Sequence, residues 1–422
     1  MDTQHVSNIS APAPALDAAE LDATYKSIEG FFSPLSESQA ALLCTHLAQR
    51  RREEAIGRPV LHVVFDLLPQ CNLACRGCGI NAIAIVGKTT VSDAPLSTQK
   101  ILAILDAIAG EAQRRTMDVK LDLGGGEPLL RPDIERIVRH AAELFGPQGV
   151  GIDTNAALPQ AASVLKALLP HLSYLGVSLN GPRSYHNWWA GASEGDPFES
   201  AYAVVRELCE SDEDARIVEV TSVATSMNCD DLPVLMERLA GVGVQRYSVH
   251  RAVRAGRMRA HGELLPSLEQ YFKLLVELLE VSERTSQRVH VHHSIERMFA
   301  ALLTILADGG RRSKTPAALA RMWRAACAGM PSGAQRSVTV GITPEGVLAG
   351  GAWQTDGCPV LSEPVFRQGA SFASQLDEII LRNAAAAHAA CDGSEARCPL
   401  IERRHCTCCE VLCPVMRSMK RG

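Results

Sequence analysis

Cys71, Cys75 and Cys78 stand in the run Cys71-Asn72-Leu73-Ala74-Cys75-Arg76-Gly77-Cys78, a C-x3-C-x2-C spacing. One short loop therefore carries three thiols. Three thiolates suit a cubane iron–sulfur cluster that keeps one iron free for something other than protein. The same residues also fit a zinc loop short of its fourth ligand, or buried structural thiols. Further along, Gly124-Gly125-Gly126-Glu127-Pro128 closes the apolar segment Val119–Leu123. A glycine run lets a backbone approach a ligand and turn N–H and C=O groups toward it, although it also makes a plain turn. A third group lies near the C-terminus: Cys327, Cys358, Cys391, Cys398, Cys406, Cys408, Cys409 and Cys413. Eight thiols would ligate two further cubanes fully, and seven would leave one site open. A zinc-stapled tail drawing on Cys406, Cys408, Cys409, Cys413 and His405 is an alternative. So is a thiophilic substrate site, because adjacent thiols such as Cys408 and Cys409 bind soft species.

These groups need elements to position them. Val60–Leu68 reads as a buried strand, with Val63, Val64 and Phe65 in a short apolar run. Later strand signals are Val119–Leu123, Gly151–Asn155, Leu175–Gly181, Glu219–Thr225 and Arg246–Arg251. Between them lie helix-length amphipathic stretches: Ser97–Ala109, Asp133–Leu144, Ala162–Leu169, Phe198–Cys209 and Leu232–Ala240. Ser97 is placed to cap the first. This alternation predicts right-handed βαβ units and a parallel sheet. Polar residues at the C-terminal ends of parallel strands are where a barrel holds ligands. Here they are Thr154, Asn155, Ser178, Asn180 and Arg251. His250, His290, His292 and His293 fall on or near strands, and His292-His293 offers an acid or base, or simply packs. Tyr185, His186, Trp188 and Trp189 form a loop that either covers substrate or packs.

The chain's 422 residues are enough for more than one domain. A net charge of −5 leaves no nucleic-acid footprint. No apolar run reaches bilayer length, and the N-terminus lacks the basic and apolar segments of a secretory signal. The 14 cysteines would suit an extracellular disulfide scaffold, but such scaffolds are short and this chain has a core of its own. Metal-carrying cysteines in the cytoplasm are the better reading. Cys44, Cys209 and Cys229, in apolar contexts, read as structural.

On the C-x3-C-x2-C run and the Gly124–Pro128 segment together, the chain resembles the radical S-adenosylmethionine (SAM) superfamily. The resemblance implies an α/β fold, a partial (β/α)6 TIM-like barrel with a cysteine-rich C-terminal extension. It implies a [4Fe–4S] cluster on Cys71, Cys75 and Cys78. The free iron would chelate SAM, and reduction would cleave SAM to a 5′-deoxyadenosyl radical. Gly124, Gly125, Gly126 and Glu127 resemble the GGE motif that binds the amino end of SAM. Leu175–Gly181 resembles the family's "SLDG" strand, with Asn180 where Asp is usual. Gly77 stands where relatives carry an aromatic or large apolar residue near the adenine, so other groups must hold that ring. The hairpin expected around Pro344-Glu345-Gly346, a helix at Leu376–Arg382 and Cys409-x3-Cys413 resemble the SPASM or twitch extension. That implies one or two auxiliary [4Fe–4S] clusters on the C-terminal cysteines. The run Cys398-x7-Cys406-x-Cys408-Cys409-x3-Cys413 departs from the usual C-x2-C-x5-C-x3-C.

The organisation expected is a partly disordered helical extension over 1–56, a radical SAM core over 57–266, a helical linker over 267–326 and a cysteine-rich domain over 327–422. Residues 1–16, rich in Ser, Ala and Pro, lack the means to pack. Helices around Leu16–Glu29 and Glu37–Glu54 read as packing rather than as a leader-peptide recognition module. The implied activity is radical chemistry on a peptide or small natural-product substrate, as an oxidoreductase or transferase in biosynthesis, with an electron donor such as flavodoxin or ferredoxin. One alternative transfers the aminocarboxypropyl group of SAM to a thiophilic acceptor such as arsenite, as in arsinothricin-type biosynthesis. An alternative of another class is a non-catalytic metal- or cluster-binding partner protein.

Overall fold

The computed structural model describes residues 26, 28–55, 58–85, 87–192, 195–291, 293–309, 318–329, 338–351, 360–365 and 371–389. Among them, ten strands form one sheet: β1 Val60–Asp66, β2 Asp118–Gly124, β3 Val150–Thr154, β4 Tyr174–Ser178, β5 Val218–Ala224, β6 Arg246–Arg251, β7 Arg288–Val291, β8 Val338–Ile342, β9 Val347–Ala349 and β10 Val360–Pro364. Among the α-helices longer than one turn are α1 Glu37–Ala55, α2 Thr98–Arg115, α3 Ile134–Phe145, α4 Ala161–Leu168, α5 Arg183–Trp189, α6 Pro197–Leu208, α7 Leu232–Ala240, α8 Leu268–Thr285, α9 His293–Gly309, α10 Ala318–Ala326 and α11 Phe372–Ala389.

β1 to β6 pair in parallel and in chain order, with a helix in each crossover. This is the parallel sheet that the strand–helix alternation predicts, and the six-stranded partial barrel that the resemblance implies. Period two divides β1 cleanly. Leu61, Val63 and Phe65 are fully buried, while Val64 and Asp66 on the other face line a cavity. Ser97 caps α2 by accepting from the Lys100 N–H, and Ile101, Ile104, Leu105 and Ile108 make its buried stripe. Each such side chain contributes about 1.5–3 kcal/mol on burial.

The sheet runs further than expected, in the order β10-β9-β8-β1-β2-β3-β4-β5-β6-β7. Where a helical linker was expected over 267–326, β7 pairs in parallel with β6. The hairpin expected at Pro344-Glu345-Gly346 is formed by β8 and β9, but β8 also pairs in parallel with β1 along five residues. The reason is the open edge of β1. Its N–H and C=O groups would otherwise lack ladder partners, and β8 supplies them. Tyr185 to Trp189, expected as a loop, lies in α5.

The described residues fall into two compact units, one from 58–292 with 336–380 and the other from the remaining stretches. The sheet and its helices form the first. In the second, α1, α9 and α10 enclose Leu43, Leu47, Phe299 and Trp323. Trp323 Nε1 donates to Thr304 Oγ1 (3.1 Å), which satisfies the one polar atom of a buried indole. The helix expected near Leu16–Glu29 lies mostly outside the described residues. No helix among the described residues is long and apolar enough to cross a membrane.

Candidate functional site

The loop carrying Cys71, Cys75 and Cys78 leaves the C-terminal end of β1 and is gripped from two sides. On one side is the end of α5. Ala74 N donates to Ala190 O (3.1 Å) and Arg76 N to Trp189 O (2.8 Å). The Arg76 guanidinium donates to Trp188 O and lies over the Trp188 ring. On the other side is the segment after β6. Arg257 N donates to Cys78 O (3.0 Å), its Nε to Cys75 O (2.6 Å) and its Nη1 to Ala82 O (2.8 Å). Gly256 has φ +50°, and a Cβ there would sit 2.2 Å from Cys78 O, so only glycine lets the two segments close.

Backbone and side-chain amides point at the sulfurs. Leu73 N (3.4 Å) and Asn155 Nδ2 (3.6 Å) donate to Cys71 Sγ, and Ala82 N (3.3 Å) donates to Cys78 Sγ. Such donors favour thiolate over thiol and are a means of tuning iron–sulfur clusters. Burial opposes them. It pushes the Cys75 thiol up to about 12, with Cys78 adding to the rise and Arg257 opposing it. Cys71 is raised too, by burial first and then by the charge of Glu127. Cationic metal would be what holds these groups as thiolates.

Gly77 is explained by its neighbour. A Cβ at Gly77 would meet the Trp189 ring at 2.2 Å, so the indole occupies the space that a side chain there would take. The aromatic group that the cysteine loop lacks is thus supplied from α5.

Gly124, Gly125 and Gly126 line the cavity, but their tightest contacts are within the chain. A Cβ at Gly126 would lie 1.7 Å from Gln70 O, and one at Gly125, where φ is +114°, 2.8 Å from Leu68 O. The glycines let the end of β2 pack on the segment entering the cysteine loop. Glu127, expected to touch the cofactor, is fully buried and does not line the cavity. It accepts from Thr154 Oγ1 (2.6 Å), Asn155 N (2.8 Å) and Leu129 N (3.1 Å). Burial pushes its carboxyl up to about 7 against these donors. Glu127 braces Thr154 and Asn155, which do line the cavity.

That cavity has a volume of about 290 Å³. It brings together Cys71, Cys75, Cys78, the three glycines, Thr154, Asn155, Ser178, Asn180 and Arg251. Asn180 sits where Asp was expected. Its Oδ1 accepts from Val223 N (2.7 Å) and its backbone N donates to His186 Nδ1 (3.0 Å), so much of its capacity is spent on structure. Residues of the wall that sequence reasoning did not assign include Asp66, Asp153 and Arg257, while His186 and Trp189, expected either to cover substrate or to pack, also line it. Burial and the charge of Glu345 push Asp66 up to about 7. Burial, then Asp122, push Asp153 up to about 8; Tyr174 donates to it (3.1 Å). Asp66 also lines a second, polar cavity of about 420 Å³ beside the β8–β9 hairpin.

Cys327 lies in the helical unit beside Cys44, and Arg51 donates to its sulfur at 3.9 Å. Cys358, Cys391, Cys398, Cys406, Cys408, Cys409 and Cys413 lie outside the described residues, as does His292. Among the described residues no three His, Cys, Asp or Glu side chains are grouped to hold one metal ion. A cubane instead takes each thiolate on its own iron.

Residues 66–224 match the model of the radical SAM superfamily. The matched stretch holds the cysteine loop and the Gly124–Gly126 run and is similar to radical SAM domains. The cofactors of this family are a [4Fe–4S] cluster and SAM, and the donors on sulfur and the shared cavity fit them. The chain is similar to Fe-coproporphyrin III synthase of Methanosarcina barkeri, 28% identical over 51% of this chain and 48% of the relative. It is also similar to a probable GTP 3′,8-cyclase of Aeropyrum pernix, 36% identical over 30% of this chain and 34% of the relative. The matched part thus spans less than half of each relative's length. Among solved structures, Streptococcus suis SuiB bound to precursor peptide SuiA aligns with a TM-score of 0.47 at 14% identity, over 71% of this chain and 61% of that one.

Proposed function

We propose that this protein is a radical SAM enzyme that reductively cleaves SAM at a [4Fe–4S] cluster on Cys71, Cys75 and Cys78. The radical chemistry that follows acts on a peptide or small natural-product substrate. The observation that carries the reading is the meeting of the three thiols with Gly124–Gly126 and the ends of β3, β4 and β6 in one cavity. The cluster and SAM together supply a 5′-deoxyadenosyl radical that removes a substrate hydrogen. The chain's own groups do the rest. Arg257 and the end of α5 fix the loop. Asn155 donates to a ligand sulfur and is itself held by Glu127. Leu73, Ile80, Trp189, Ala252 and Met258 give the cavity an apolar wall that excludes water. Arg251, at the end of β6, offers a donor to a carboxylate. The electron comes from a donor such as flavodoxin or ferredoxin, in the cytoplasm. The C-terminal cysteines hold one or two auxiliary clusters, as the resemblance of the β8–β9 hairpin to a SPASM extension suggests.

The test is product analysis after anaerobic reconstitution and reduction with SAM. 5′-Deoxyadenosine is the expected product, with a yield that rises when the true substrate is added. Methylthioadenosine that forms only in the presence of arsenite would replace this reading with aminocarboxypropyl transfer. No SAM cleavage by a protein carrying its full cluster would point to a cluster-binding partner protein.

A further inference from the structure

Polar groups on the cavity wall mostly have partners, but His186 on α5 keeps one face open. His186 is only 2% exposed and lines the cavity. Its ring is fixed twice over. Asn180 N donates to Nδ1 at 3.0 Å, and the Phe198 ring meets it edge-on with centroids 5.9 Å apart. An Nδ1 that accepts leaves the proton of a neutral imidazole on Nε2. Burial holds the ring neutral by pushing its pKa down to about 4, against the charge of Asp196. Nε2 is buried and has no hydrogen-bond partner among the described residues. A buried donor left unanswered is costly, so such groups in native proteins point to a missing acceptor.

A second donor on the same wall is also unanswered: Arg251 Nε is buried without a partner among the described residues. Arg257, which lines the cavity too, has its Nη2 buried without a partner among the described residues, and three open donors on residues of one cavity wall call for an acceptor-rich ligand. SAM is one, with its carboxylate, ribose hydroxyls and adenine nitrogens.

We propose that His186 is a SAM-binding residue whose Nε2–H donates to an acceptor atom of bound SAM. This rests on reading the cavity as the SAM site. Two substitutions separate binding from structure, because each mimics one ring nitrogen. In His186→Asn, the side-chain oxygen can still accept from Asn180 N, but the donor at the Nε2 position is gone. In His186→Gln, the amide can reach the Nε2 position, but the bond from Asn180 is lost. Equilibrium dialysis of reconstituted full-length protein against SAM measures affinity. Iron content and melting midpoint are measured on the same samples. For His186→Asn the expected result is unchanged iron and midpoint with SAM affinity about tenfold weaker. For His186→Gln it is a lower midpoint with affinity within about threefold of the parent. Parent-like affinity in His186→Asn overturns the assignment and leaves the cavity reading standing. A loss in both variants that tracks iron or midpoint overturns it in favour of a structural role. A fully loaded parent that binds no SAM overturns the cavity reading itself.

Discussion

Two sets of described thiols invite comparison. Cys71, Cys75 and Cys78 sit on a backbone loop at a cavity wall, with N–H groups on two of their sulfurs and neighbouring segments bonded to the loop from both sides. Cys44 and Cys327 sit in helical packing. Cys44 is 2% exposed, and burial, then Cys327, push it up to about 12. Both sets hold thiols near one another. What separates them is what surrounds the sulfur: backbone N–H donors and open space in one case, side-chain packing with a long contact from Arg51 in the other. The contrast is sharpened by substitution. Cys71→Ala, Cys75→Ala and Cys78→Ala should each remove one cubane of iron and abolish SAM cleavage, read as iron content and deoxyadenosine after reconstitution. Cys44→Ala should keep the cleavage and lower the melting midpoint by the cost of a small core cavity, about 1 kcal/mol. SAM cleavage surviving in any of the first three would break the contrast.

The same comparison applies to the arginines that touch each set. Arg257 makes three hydrogen bonds to the cysteine loop, whereas Arg51 donates weakly to Cys327 and lies over the Trp323 ring. Arg257→Met should therefore cost about 10–100-fold in cluster retention or SAM cleavage, the range seen when groups supporting metal ligands are lost. Arg257→Lys keeps the charge but cannot make the forked contacts, so it should recover only part. Arg51→Met should leave the first cluster's iron unchanged. Equal iron in all three variants would show that the loop holds its shape without the clamp.

Much of this was legible in the sequence, for physical reasons that differ between elements. Thiol spacing within a loop is local, so Cys71, Cys75 and Cys78 could be read directly. Period-two and helical patterns placed β1 to β6 and their helices, because each buries one face. Long-range closure could not be read. Nothing local in Val338–Ile342 says that it pairs with β1, since that depends on an open edge far away in the chain. The role of Glu127 was hidden for the same reason. A carboxylate after glycines looks like a ligand group until Thr154 and Asn155 arrive to donate to it. Gly77 signalled something missing, but only the fold brings Trp189 into its place.

That exchange predicts a smaller, compensable effect. Gly77→Phe should displace the Trp189 ring and lower cluster occupancy. Trp189→Ala should open a void worth about 3–5 kcal/mol of stability. Combined, the two changes put an aromatic group back into the space from the other side. The double variant should be more stable than the sum of the single losses predicts, by about 1 kcal/mol or more. Strict additivity in denaturant unfolding would show that the two positions do not share the space.

The smallest expected effect concerns buried carboxyls, which again differ between the two regions. In the helical unit Glu296 is answered by Arg50 (3.1 Å) and His46 (2.8 Å). In the barrel, the hydrogen bond described for Asp153 comes from the Tyr174 hydroxyl, and burial with the charges of Asp122 and Glu219 raises its pKa from 3.8 to about 8, although His62 opposes this. A raised folded-state pKa means that the folded protein holds the proton more tightly than the unfolded chain. The stability that comes with this is complete at pH below 3.8 and is lost as pH rises through about 8. Asp153→Asn cannot ionise and keeps an oxygen to accept from Tyr174. Its melting midpoint relative to the parent should therefore improve steadily between about pH 5 and pH 9. Glu296→Gln removes the buried carboxylate that Arg50 and His46 share and should lower the midpoint at neutral pH. A midpoint difference for Asp153→Asn that stays flat across that range would show that Asp153 is ionised throughout, and the distinction between a carboxyl bonded to Arg50 and His46 and one bonded to a hydroxyl would fall with it.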